Sequence, residues 1–107
     1  MTTVLIVGTI YNMDAESLLA QRFALDEASF VELVVWRLGE SVEGCSHNLK
    51  YRLAYVVNGT CVVRYDNETG KGDHRHVGGR EMAYRFRSLG ALQVDFWGDV
   101  NAWEGKK

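Results

Sequence analysis

Apolar and polar positions alternate along much of the chain, interrupted at a few sites by turn-forming residues. The clearest pair of runs is KYRLAYVV and TCVVRYD, rich in β-branched and aromatic side chains and separated by Asn58-Gly59. Both central residues of a type I′ turn need positive φ, which Asn and Gly tolerate, so the two runs predict a hairpin. Pairing Val57 with Thr60 sets Tyr55 opposite Val62 and Arg52 opposite Tyr65, and gathers Lys50, Arg52 and Tyr65 on one face at the open end. Upstream, LLAQRFA and FVELVVWRL flank residues 25 to 29 and predict a second hairpin, in which residues 30 to 38 are apolar on both faces, as in a central strand. Downstream, AYRFR (residues 83 to 87) reads as a short strand and Ser88 as a helix N-cap. Leu89, Leu92, Phe96, Val100 and Trp103 follow at helical spacing, predicting one apolar stripe on a helix over residues 89 to 103. The expected fold is α+β: an antiparallel sheet of four to five strands, built on two hairpins, with a C-terminal helix packed on one face.

Composition adds limits to this picture. A chain of 107 residues, 47% of them apolar, can bury one core without disulfides or metals. No apolar run approaches the ~20 residues of a membrane helix, and VLIVG near the start lacks the basic flank and the length of a signal peptide; a cytoplasmic protein without a membrane partner is expected. Cys45 and Cys61 show no CxxC spacing and read as reduced thiols. The net charge of -2 argues against a general polyanion binder, but its distribution is uneven. Residues 50 to 87 hold eight Lys/Arg against four acids, a local charge of +4, and the remainder carries -6. Such a basic segment could hold phosphates or face an acidic partner.

The chemistry concentrates in YDNETGKGDHRHVGGRE, residues 65 to 81, read as a glycine-rich loop between strands. Alternation on an extended backbone puts His74 and His76 on one side, with Asp73 and Arg75 on the other. Several readings stand side by side. Two imidazoles with Asp66 or Asp73 could ligate a metal, although no third histidine stands at ligand spacing. Metal-free RNA cleavage needs a base, an acid and cations, which histidine and Arg/Lys supply. Backbone amides of GKG could cradle a phosphate or nucleotide, without the Walker spacing. A solvated polar turn accounts for the same residues with no chemistry at all.

The stretch also carries a resemblance. WRL (36 to 38), His47, KYRLAYVVNG, CVVRYDNETGKGDHRHVGGRE, YRF (84 to 86) and DFWGDV (95 to 100) together resemble the TumE family, small toxins of type II toxin–antitoxin modules. The similarity starts at MDAESLL, so residues 1–12 are expected to be an N-terminal extension to a single domain over 13–107. The resemblance implies a helix-turn-helix antitoxin that neutralises the toxin by direct binding, and raises RNA cleavage as the activity by analogy with other small toxins. On that reading His74 and His76 are general base and acid in an order left open, accompanied by Tyr65 and Asp73, while Lys50, Arg52, Lys71 and Arg75 hold the phosphate. RNA is then the substrate, no cofactor or metal is called for, and a homodimer stays open. The competing readings are a non-catalytic nucleic-acid- or protein-binding module and a metal- or nucleotide-dependent phosphoryl or nucleotidyl transfer enzyme.

Overall fold

A computed structural model describes residues 15 to 106; the expected extension over residues 1–12 lies outside them. Six strands, β1 (Glu16–Ala24), β2 (Ser29–Arg37), β3 (Leu49–Val57), β4 (Thr60–Glu68), β5 (Gly72–Val77) and β6 (Arg80–Ala83), precede one helix, α1 (Leu89–Glu104). The strands pair in chain order, each antiparallel to the next, so the sheet is a meander with β1 and β6 at its edges. The α+β arrangement is the expected one, with six strands in place of four to five.

Both predicted hairpins form. At the first turn, Asp26 Oδ1 accepts hydrogen bonds from Ala28 N (2.8 Å) and Ser29 Oγ (2.9 Å), so a short acid replaces the missing ladder. At the second, Asn58 and Gly59 have φ of 50° and 79°, as a type I′ turn requires. Beyond that turn the pairing departs from expectation. An irregularity between Tyr55 and Val56 leaves one residue of β4 unopposed, so Tyr55 faces Val63, Leu53 faces Tyr65 and Arg52 faces Asp66. One extra residue shifts the register while the strand period stays two, and Tyr65 moves to the face opposite Arg52 and Lys50.

The second departure concerns the glycine-rich stretch. Residues 72 to 77 form a paired strand rather than a loop, and Gly78 and Gly79, at φ 61° and 103°, turn the chain into β6. Glycine suits these positive φ values, and at Gly78 a Cβ would also lie 3.2 Å from Trp103 Cζ3. The predicted strand over 83 to 87 is instead an extended connector that keeps only Ala83 in β6 and carries Tyr84 and Phe86 against the core.

Ser88 caps the helix, its Oγ accepting from Ala91 N at 3.0 Å. Leu92, Phe96 and Val100 are buried along the predicted stripe and meet Val31, Leu33 and Val35 of β2, Tyr51, Leu53 and Tyr55 of β3, and Val63 and Tyr65 of β4. Truncating Phe96, which is fully buried, would cost about 3–5 kcal/mol. Past Arg52 and Asp66 the backbone pairing of β3 and β4 gives way to a side chain: buried Asn67 accepts from Tyr51 N (3.0 Å) and donates to Leu49 O (2.7 Å). Lys50 Nζ in turn donates to Asn67 O. The sheet thus has a helix face and an opposite, open face, and successive residues of β4 and β5 divide between them.

Candidate functional site

On the open face, strand register sets side chains in two neighbouring rows. Arg52, Asp66 and His74 stand on adjacent strands, and Arg64, His76 and Glu81 form the row beside them. Their contacts knit the rows together. Glu81 Oε2 lies 3.0 Å from His74 Nδ1 and 3.8 Å from His76 Nε2. Arg64 reaches His76 Nε2 through Nη2 at 2.9 Å and Asp66 through Nε at 3.2 Å. His74 Nε2 lies 2.9 Å from the carbonyl oxygen of Lys71. Both ring nitrogens of His74 therefore face acceptors, whereas His76 Nε2 faces a guanidinium that can only donate. The two imidazoles are about a quarter exposed or less, enough to meet a ligand while remaining held.

The helix face has the same classes of side chain in closed pairs. Asp99 takes a bidentate grip from Arg75 (Nε to Oδ2 2.7 Å, Nη2 to Oδ1 2.8 Å) and a bond from Tyr65 OH at 2.6 Å. One helical turn earlier, Asp95 accepts from Tyr84 OH (2.5 Å) and Arg87 Nη2 (2.6 Å). Burial alone would raise the Asp99 carboxyl, but the bonds from Arg75 and Tyr65 outweigh it and hold it below the usual carboxylate range. The Tyr84 bond, followed by Arg87, likewise lowers Asp95. Burial and the bond to Asp99 raise Tyr65 well above an ordinary phenol, and burial with the bond to Asp95 pushes Tyr84 up to about 12.

A third cluster lies where the loop before β3 meets β5. Asp73 Oδ2 accepts from Tyr51 OH at 2.6 Å and lies 2.7 Å from His47 Nε2, and the His47 ring stacks on Phe86 at 3.9 Å. Ligand atoms of Cys45, His47 and Asp73 fall within 4.8 Å of one another, close enough to share a cation. The hydrogen bonds argue for a different role. His47 Nδ1 accepts from Leu49 N at 3.1 Å, which places the proton of a neutral ring on Nε2, the atom a metal would need bare. Burial also raises the Cys45 thiol and disfavours the thiolate. The cluster is built as a pin between loop and strand.

The residues singled out in the sequence are thus divided. His74 and His76 do share one side, with Lys50 and Arg52 on the same face of β3. Tyr65, Asp73 and Arg75 point to the helix face, and Lys71 sits in the β4–β5 turn beside Glu68, its carbonyl holding His74. Arg64, Glu81 and Asn67, and the pair Asp95/Asp99, were not singled out for a role; the four-residue spacing of the two helical acids opposite a basic strand was the available signal.

Residues 8–104 match the family model described as Toxin TumE. The chain belongs to the TumE toxin family. TumE membership makes it a toxin of a toxin–antitoxin system, with an antitoxin as its partner. The match starts ahead of Met13 and takes in both faces of the sheet. No curated protein and no solved structure matches the chain. Among the described residues, no helix is long and apolar enough to cross a membrane. In this TumE chain the string YDNETGKGDHRH is therefore the end of β4 running into β5, and it contributes Asp66, His74 and His76 to the open-face rows and Tyr65 and Arg75 to the anchors of the helix.

Proposed function

We propose that this TumE toxin cleaves RNA without a metal, on the open face of the sheet. The observation that carries the reading is the complementary surroundings of the two imidazoles: both nitrogens of His74 face acceptors, and His76 Nε2 faces the donor Nη2 of Arg64. His76 then takes the proton of a ribose 2′-OH, O2′ forms its bond to phosphorus, the bond from phosphorus to O5′ breaks, and His74 gives its proton to O5′. The products are a 2′,3′-cyclic phosphate and a free 5′-OH. Arg64 stabilises the charge of the phosphorane, with Arg52, Lys50 and Lys71 guiding the strand from the basic side. Tyr65, Arg75 and Asp73 act from the other face, holding α1 and the loop before β3 so that β5 keeps its place.

The test is RNA cleavage by purified protein in the presence of EDTA, with His74→Ala and His76→Ala compared singly. Each substitution should lower the rate by about 10²-fold or more, as for a positioned acid or base, with thermal unfolding unchanged. Cleavage that survives both, or that EDTA abolishes and a divalent ion restores, overturns the reading. The partner follows from the same face: a helix-turn-helix antitoxin presenting acidic side chains to Arg52, Arg64 and Lys50 would block RNA, and its association rate should fall as salt rises.

A further inference from the structure

The hairpin of β5 and β6 and the C-terminal end of α1 enclose a cleft of about 520 Å3 on the helix face. Its lining combines the indole of Trp103, the apolar side chains of Val77 and Met82, and the cations of Arg80 and Lys106. Arg75 also borders it, but its guanidinium is committed to Asp99, whereas Arg80 and Lys106 are exposed. The backbone of Gly78 passes against the edge of the indole, and Lys106 Nζ stands 5.7 Å from the ring centroid. Among the described residues, no acid lines the cleft. An aromatic surface with the exposed Lys106 cation over its ring and exposed Arg80 along the same cleft suits a ligand that is flat and apolar at one end and anionic at the other, which is the chemistry of a nucleotide.

We infer that this cleft is a stacking subsite for single-stranded RNA, an inference that rests on the cleavage reading above and locates a second grip on the same strand. Register connects the two. Val77 pairs with Arg80, and the next pair, His76 with Glu81, points to the open face. Only β6, a four-residue edge strand, separates the cleft from the imidazoles. A strand that stacks one base on Trp103 and lays its phosphates on Arg80 and Lys106 passes over the β6 edge and arrives at His76 and Glu81. The subsite thus fixes which nucleotide, counted from the scissile bond, the protein holds by its base.

Binding of a fluorescently labelled single-stranded RNA, 2′-O-methylated so that no 2′-OH can attack, tests this by anisotropy on the full chain. Trp103→Leu should raise Kd by about 10-fold, within the range for loss of one base stack. The double variant Arg80→Ala, Lys106→Ala should weaken binding and reduce the slope of log Kd against log salt by about 1.4, the share of two phosphate contacts on a single strand. On cleavable RNA both variants should raise KM with kcat little changed. Trp103 also touches the core, so the double variant on the exposed cations decides the matter should Trp103→Leu lose stability. Unchanged Kd and salt slope in the double variant overturn the inference while leaving cleavage by the wild type intact. Loss of affinity in the variants with no cleavage by the wild type instead overturns the cleavage reading and keeps the subsite.

Discussion

The two faces of the sheet use nearly the same chemical parts to opposite ends. On the helix face the two acids of α1, Asp95 and Asp99, are each held by a phenol and a guanidinium at 2.5 to 2.8 Å, and the pairs fasten α1 to β4, β5 and the connector. On the open face the acids, rings and Arg64 stand at 2.9 to 3.9 Å in a shared network in which single groups have more than one neighbour. Arg75 and His76 are consecutive, yet one is committed to a structural carboxylate and the other is open to a ligand. Tight mutual pairing thus marks the residues that maintain the fold, and loose sharing marks those available for chemistry.

The contrast can be broken from either side. The largest effect on stability is expected from Asp99→Ala, which takes the charged partner from both Arg75 and Tyr65; stability should fall by about 1.5–3 kcal/mol in urea unfolding. Equal stability of this variant and the wild type would remove the distinction. Next, Arg64→Gln should lower RNA cleavage by about 10²-fold, as for loss of a donor to developing charge, while the unfolding midpoint stays near the wild-type value. A smaller effect is expected of Tyr84→Phe, which removes one bond to Asp95 and should cost about 1 kcal/mol with cleavage unaffected.

The pH dependence sharpens the same line. Asp95 and Asp99 have folded values depressed below the unfolded carboxylate, so their contribution is present above about pH 4 and is lost as the pH falls through the folded values. Tyr84, raised to about 12 from an unfolded value near 10, works in the other direction: its contribution is complete below about pH 10 and disappears as the pH rises toward 12. Unfolding by denaturant across the acid range should therefore show a steeper fall for the wild type than for Asp99→Asn. Parallel profiles would show that the helix-face acids do not govern acid stability.

Much of the architecture was readable because it depends on short-range rules. Asn58-Gly59 demands its turn, Ser88 its helix start, and the stripe from Leu89 to Trp103 its buried face. Two features escaped for identifiable reasons. A bulge inserts one residue without any mark in the alternation, so the pairing of Arg52 with Asp66, and the transfer of Tyr65 to the helix face, followed from geometry alone. The glycines around DHRH suggested a loop, whereas they form turns at both ends of a six-residue strand. His74 and His76 could be placed on one side because alternation holds inside β5; their neighbours Arg64 and Glu81 come from strands whose register a single chain segment does not disclose.

The chain-order meander has a kinetic meaning. Each strand bonds only to its neighbours in sequence, so the sheet can grow outward from the Asn58-Gly59 turn, each added strand closing a short loop. The contacts of widest sequence separation are those of the α1 stripe with β2 and β3, so docking of the helix, with Asp99 meeting Tyr65, completes the fold.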